Sequence, residues 1–145
     1  MNLPPISLGP PVELSTQPAF ARKSRKAAPQ RGYAYENKVT RRLEKETAAL
    51  GWELWTQQWL CEGGKYCCPD FVAISPSGAG IILEAKLTWK PTESQRARYE
   101  EKLFLLGYPC FSVTVCKNLT PNVPQSLVVD SFLDLFPGAV WHLWL

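Results

Sequence analysis

The chain has 145 residues, 46% hydrophobic, 12% aromatic and 20% charged, which excludes a fully disordered or collagen-like protein and suits one domain with a real core. Its formal net charge of +3 is unevenly placed: residues 1–31 sum to +4 and residues 32–145 to −1. Basicity gathered in an arm suits a polyanion such as DNA, because binding releases counterions condensed on the phosphates.

Residues 1–30 are rich in Pro, Ser, Ala and basic side chains without periodicity. Prolines in "NLPPISLGPPVEL" exclude a regular helix or central strand, so we expect a mobile, disordered arm. Tyr35, Val39, Leu43, Thr47 and Leu50 then recur at helical spacing up to Gly51, which predicts a first helix over 35–50. Lys38, Arg41, Arg42 and Lys45 fall mostly off that stripe, as a solvated or a phosphate-facing surface. "WELWTQQWL" (52–60) reads as a strand, "EGGK" as a turn, "YCCPDFVAI" (66–74) as a second strand and "IILEAKL" (81–87), after "SPSGAG", as a third. A second helix is expected over 93–106, with Thr92 as N-cap, Gln95 as capping-box partner and Gly107 as its stop. "PCFSVTVC" (109–116) is a fourth strand, "LVVDSFLDLF" (127–136) a short helix, and "AVWHLWL" (139–145) a terminal strand or packed tail.

The first 20 residues lack a basic n-region and an apolar stretch of about 7 to 15 residues, so no secretory signal is expected. No apolar run approaches the roughly 18 residues needed to span a bilayer. These readings give a soluble, intracellular protein with reduced thiols and no membrane partner. Cys61, Cys67 and Cys68 match no C-x-x-C pattern and alternate in direction along a strand, so packing is expected of them rather than zinc. His142, the only histidine, excludes HNH- or HD-type metal sites, and in "WHLWL" it reads as a packed side chain rather than a hydrolase base. No G-x-x-x-x-G-K-[ST] occurs, so ATP use is not expected.

The chemistry lies in "IILEAKL". On a strand, Glu84 and Lys86 project to one face while Leu83, Ala85 and Leu87 face the other. An acid and a base inside an apolar run need compensation by partners or a metal. The plain reading is an edge-strand ion pair. The sharper one adds Asp70, after Pro69 on the preceding strand: Asp70 and Glu84, with the Ala85 carbonyl, could share Mg²⁺, and Lys86 could orient a water and stabilise charge on a phosphate.

Pro69 and Asp70, followed after thirteen residues by Glu84, Ala85 and Lys86, resemble the PD-(D/E)XK motif of the restriction-endonuclease-like nuclease superfamily. The resemblance spans roughly 80 residues and implies an α/β fold in which a mixed central sheet is flanked by helices in αβββαβ order. It also implies a Mg²⁺-dependent nuclease acting on DNA phosphodiesters, with Mn²⁺ as a substitute. By the same resemblance Asp70, Glu84 and Lys86 are catalytic, and Glu36, Asp70, Glu84 and Ala85 form the metal site. Glu36 also reads as a helix N-terminal acid complementing the dipole.

Gln95 and Tyr99 resemble the Q-x-x-x-Y element of the RecB and lambda-exonuclease branch, which implies that they organise the site or bind DNA beside the arm residues Arg22, Lys23, Arg25 and Lys26. "YENKVTRRLE" (35–44) and "PDF" also resemble phage endonuclease I type junction-resolving enzymes, whose lysine-rich C-terminal tail is replaced here by "AVWHLWL". Endonuclease and end-processing exonuclease both stay open, as does a homo-oligomer, and the resemblance implies a bacterial or phage-infected cytoplasm. Trp89 could stack on a base. The alternative from another class is a non-catalytic nucleic-acid-binding or protein-interaction module of the same fold.

Overall fold

The segment read as the third strand is buried over most of its length, so both its faces need cover. The computed structural model supplies it, describing residues 11–20, 30–121, 126–137 and 141–143. In chain order the elements are β1 (Val12–Ser15), α1 (Gln30–Leu50), β2 (Glu53–Thr56), β3 (Trp59–Glu62), β4 (Lys65–Cys67), β5 (Phe71–Ile74), β6 (Gly80–Thr88), α2 (Glu93–Leu105), β7 (Cys110–Asn118), β8 (Ser126–Val128) and β9 (Trp141–Leu143). The protein is mixed α/β. A six-stranded sheet runs β2-β5-β6-β7-β9-β8, and a three-stranded sheet runs β1-β3-β4. β2, β5 and β6 are antiparallel, and α2 carries the chain from β6 to parallel β7.

Residue parity sorts the core into two layers. Phe71, Ala73, Ile81, Leu83, Val113 and Val115 pack with Tyr35, Val39 and Leu43 of α1. Val72, Ile74 and Ile82 face the other way, onto Tyr99 and Leu103 of α2 and Leu60 and Cys67 of the small sheet. Alternation along each strand thus places α1 and α2 on opposite faces. Both helices end in the same way: Trp52 N–H reaches Thr47 O at 2.9 Å and Tyr108 N–H reaches Leu103 O at 3.1 Å. Gly51 and Gly107, at φ of 70° and 101°, supply the left-handed residue that this C-terminal cap requires.

Several expectations are corrected. The strand read over 52–60 is two strands in two sheets, because Gln57 adopts a left-handed φ of 51° and turns the chain after β2. The strand read over 66–74 is likewise divided at Cys68-Pro69-Asp70, where proline has no N–H to give a ladder. Part of the expected arm is ordered as strand: Val12–Ser15 pair with β3. Residues 1–10 and 21–29 of that arm, the latter including Arg22, Lys23, Arg25 and Lys26, lie outside the described residues. The helix expected over 127–136 is instead β8 and a 3₁₀ turn at Phe132–Asp134. β8 gains backbone partners in β9, while Val129, Phe132 and Leu135 are buried in the α1 layer, so tertiary pairing overrides local helix preference. Within the C-terminal run, Trp141–Leu143 form β9, the strand of the two expected forms.

All five cysteines are free. Burial pushes Cys116 up to about 11, and burial together with the Glu100 charge does the same for Cys110. A raised thiol pKa leaves little thiolate at neutral pH. Iodoacetamide at pH 8 is therefore expected to label both more than about tenfold slower than a free cysteine. Equal rates by peptide mapping would contradict this packing. Among the described residues no helix is long and apolar enough to cross a membrane.

Candidate active site

The register of the β5–β6 pair builds the site. Phe71 pairs with Leu83, so one step further places Asp70 opposite Glu84. Two reciprocal bonds close this step: Asp70 N–H donates to Glu84 Oε1 at 3.1 Å, and Ala85 N–H donates to Asp70 Oδ2 at 2.9 Å. Both acids belong to the parity of Val72 and Ile82, on the α2 face. Ala85 meets Asp70 through its N–H, a role that the expected carbonyl ligand does not include.

Glu84 is only 2% exposed. Burial, and next the Asp70 charge, hold its carboxyl well above the usual range. Asp70 is raised as well, first by burial, with the Ala85 N–H opposing and the Glu36 charge adding to the rise. The Asp70 charge thus acts directly on the ionisation of Glu84, as expected of two acids that share a buried place. Lys86, half-buried on the same face, stabilises both ionised forms by its charge. Among the described residues no carboxylate lies within ion-pair distance of Lys86, so the expected edge-strand ion pair is not formed.

Glu36 is set back from this pair. Its Oε1 accepts from Gln57 Nε2 at 2.8 Å, while the Gln57 N–H donates to Asp70 O at 2.9 Å. Gln57 therefore links the α1 acid to the motif strand, a role that sequence reasoning missed; its only sequence trace is the polar "QQ" interrupting an aromatic strand. Among the described residues no group of three or more His, Cys, Asp or Glu side chains is gathered to hold a metal. The protein brings together two acids, with Glu36 near enough for its charge to act on Asp70.

The Gln95 and Tyr99 pair is joined as its spacing predicts. Gln95 Nε2 donates to Tyr99 Oη at 2.7 Å, and that hydroxyl donates to Cys68 O at 3.4 Å, just ahead of Pro69 and Asp70. Tyr99 is 3% exposed, and through its hydroxyl it braces the motif loop. Tyr99→Phe is expected to lower any site-dependent turnover by about 3- to 10-fold while costing about 1 kcal/mol of stability, the worth of the missing bonds. Turnover equal to wild type would make the hydroxyl dispensable.

α2 itself is anchored by a network the sequence did not suggest. Thr92 makes no side-chain cap, so the capping-box expectation fails. Its hydroxyl instead meets Thr114 Oγ1 at 2.8 Å and accepts from Arg96 Nε at 3.2 Å, and Arg96 Nη1 reaches Ser112 O at 3.2 Å. These buried groups satisfy one another under the helix start. Gln95, free of capping, is left to hold Tyr99. Trp89 is half-buried, with its backbone N–H on Asn118 O at 2.9 Å. Comparison with protein-family models, with curated proteins and with solved structures finds no match to this chain.

Proposed function

We propose that the protein is a divalent-metal-dependent nuclease of PD-(D/E)XK type, hydrolysing DNA phosphodiesters. The observation that carries this reading is the Asp70–Glu84 pair: two acids pressed together in a buried spot at the cost of their ionisation, with Lys86 beside them and bound to neither. A structural role gives no reason to collect these charges. The order α1-β2-β5-β6-α2-β7 supports the reading too, since it is αβββαβ once the β3–β4 hairpin is set apart as an insertion.

The donor set fits a hard cation. Mg²⁺ is commonly held by one or two carboxylates, with waters and substrate phosphate oxygens completing the shell, so a third protein acid is not required. Asp70 and Glu84 would hold the ion, and Glu36 would add negative potential from behind Gln57. A bound cation supplies Lewis-acid polarisation of a phosphate oxygen and acidifies an attacking water. The protein contributes position and charge. Ala85 N–H fixes the Asp70 carboxylate, the Asp70 N–H fixes Glu84, and Tyr99 holds the Cys68 carbonyl so that the loop before Asp70 keeps its path. Lys86 would orient the water and meet negative charge growing on the phosphate.

The test is labelled DNA with Mg²⁺, presented as linear duplex, single strand, flap and four-way junction. Cutting that depends on the metal is the expected result, and relative rates on branches and free ends distinguish endonuclease from exonuclease. No cutting on any of these substrates would favour the binding module.

A further inference from the structure

α1 carries a feature that the carboxylate pair does not use. Lys38, Arg41, Arg42 and Lys45 recur at i, i+3, i+4 and i+7, one helical face. Lys117 joins them from β7, with the parity of Val113 and Val115 that pack against α1. These five line one cleft of about 810 Å³, bounded across from the helix by Asp130. A second cleft of about 440 Å³ shares Tyr35, Lys38 and Lys117 with the first and extends to Leu87 and Asn118, near the ends of β6 and β7 and on the α1 side of the sheet. The two form one trough leading from the end of β6 along α1.

Its cations are of two kinds. Arg42 builds the wall: it pairs with Glu46 at 3.6 Å and donates to the Asp130 carbonyl. Lys38, Arg41, Lys45 and Lys117 are exposed, and among the described residues none has a carboxylate within ion-pair distance. Like charges at these spacings repel unless an anion lies between them. At the floor, the buried Tyr35 hydroxyl has no hydrogen-bond partner among the described residues. Burial, reinforced by Cys116, keeps it protonated and so able to donate.

We propose that this trough holds a phosphate backbone of the bound DNA, an assignment whose choice of polyanion rests on the nuclease reading. Lys38 to Lys45 covers about 10 Å of helix axis at roughly 1.5 Å per residue, enough to span neighbouring phosphates of one strand. Interactions of this kind position the backbone and carry no sequence preference.

The test is anisotropy of a labelled duplex across a KCl series in EDTA, where cleavage cannot intervene. The combined variant Lys38→Ala, Arg41→Ala, Lys45→Ala and Lys117→Ala is expected to bind at least about 30-fold more weakly, with a slope of log affinity against log salt shallower by about 3 to 4, near 0.9 for each phosphate that the protein no longer neutralises. Lys117→Glu alone should weaken binding at least about tenfold, which serves if the combined variant does not fold. Lys65→Ala, exposed on β4, should bind as wild type. Unchanged affinity and slope in the trough variants overturn the proposal, and if wild type still cuts DNA with Mg²⁺ the nuclease reading survives that failure. Weakened binding by the variants, alongside a wild type that cuts nothing, upholds the trough and removes the nuclease. Polyglutamate displacing DNA at equal charge overturns DNA as the occupant, as does a wild type without salt-dependent binding.

Discussion

Asp70→Asn is expected to abolish Mg²⁺-dependent cleavage and, in the same molecule, to raise the melting temperature of the metal-free protein. In wild type, burial lifts both carboxyls above their ordinary range, the Asp70 charge lifts Glu84 further, and the Glu36 charge adds to the rise of Asp70. An amide at position 70 keeps an oxygen for the Ala85 N–H, bonded at 2.9 Å in wild type, and presents an N–H₂ to Glu84 where there was a second acid. Removing one of two like charges from a low-dielectric site should stabilise by about 1–2 kcal/mol, or roughly 3–8 °C for a chain of this size. Mg²⁺ should raise the wild-type melting temperature, by the equivalent of about 2.7 kcal/mol at a hundred times its dissociation constant, and leave the variant unmoved. Calorimetry with and without Mg²⁺, beside a cleavage assay, reads all three effects. A variant that still cuts at the wild-type rate, or a wild type whose melting ignores Mg²⁺, would contradict the metal role of this pair.

Lys86→Ala is expected to reduce kcat by about 10²–10³-fold, the range found when one preorganised donor to a developing oxyanion is removed. The ammonium stands two residues beyond Glu84 on the same face of β6, half-buried, and no carboxylate holds it at ion-pair distance among the described residues. A group that acts on charge formed in the transition state alters kcat more than KM. Melting temperature and the Mg²⁺-induced shift should stay near wild type, and Lys86→Arg, which keeps the charge and changes the reach, should recover part of the rate. Unchanged cleavage by Lys86→Ala would take the lysine out of the mechanism.

The two variants separate roles that a single loss of activity would merge. On the proposed reading the residue at 70 would govern metal response, apo stability and turnover together, whereas the residue at 86 would govern turnover alone. That division follows from their bonding: Asp70 is tied into both strands by reciprocal bonds with Glu84 and Ala85, and Lys86 is tied to neither acid.

What could be read along the chain is what has a short period. Glu84 and Lys86 share a face because strand side chains alternate, Gln95 and Tyr99 meet because four residues make about one helical turn, and Asp70 lies opposite Glu84 because a brief turn leaves little choice of register. Both helices, their glycine stops and the strands at 80–88 and 110–118 obey the same local rules. Other features depend on partners far away in the chain. Nothing near Gln57 announces that it must bend left-handed so that β2 joins one sheet and β3 another, since β3 needs β1 and β4 to complete its hydrogen bonds. The segment after residue 126 has helical spacing, yet β9 offers β8 a ladder that an isolated segment could not foresee. Glu36 was singled out by the resemblance, but only the folded chain shows it bonded to Gln57, and only packing shows Tyr99 bracing the loop before Asp70. Patterns of two and of about 3.6 residues choose which face a side chain takes; which strands pair, and which polar groups finish one another's hydrogen bonds, is decided when distant segments meet and every buried donor must find an acceptor.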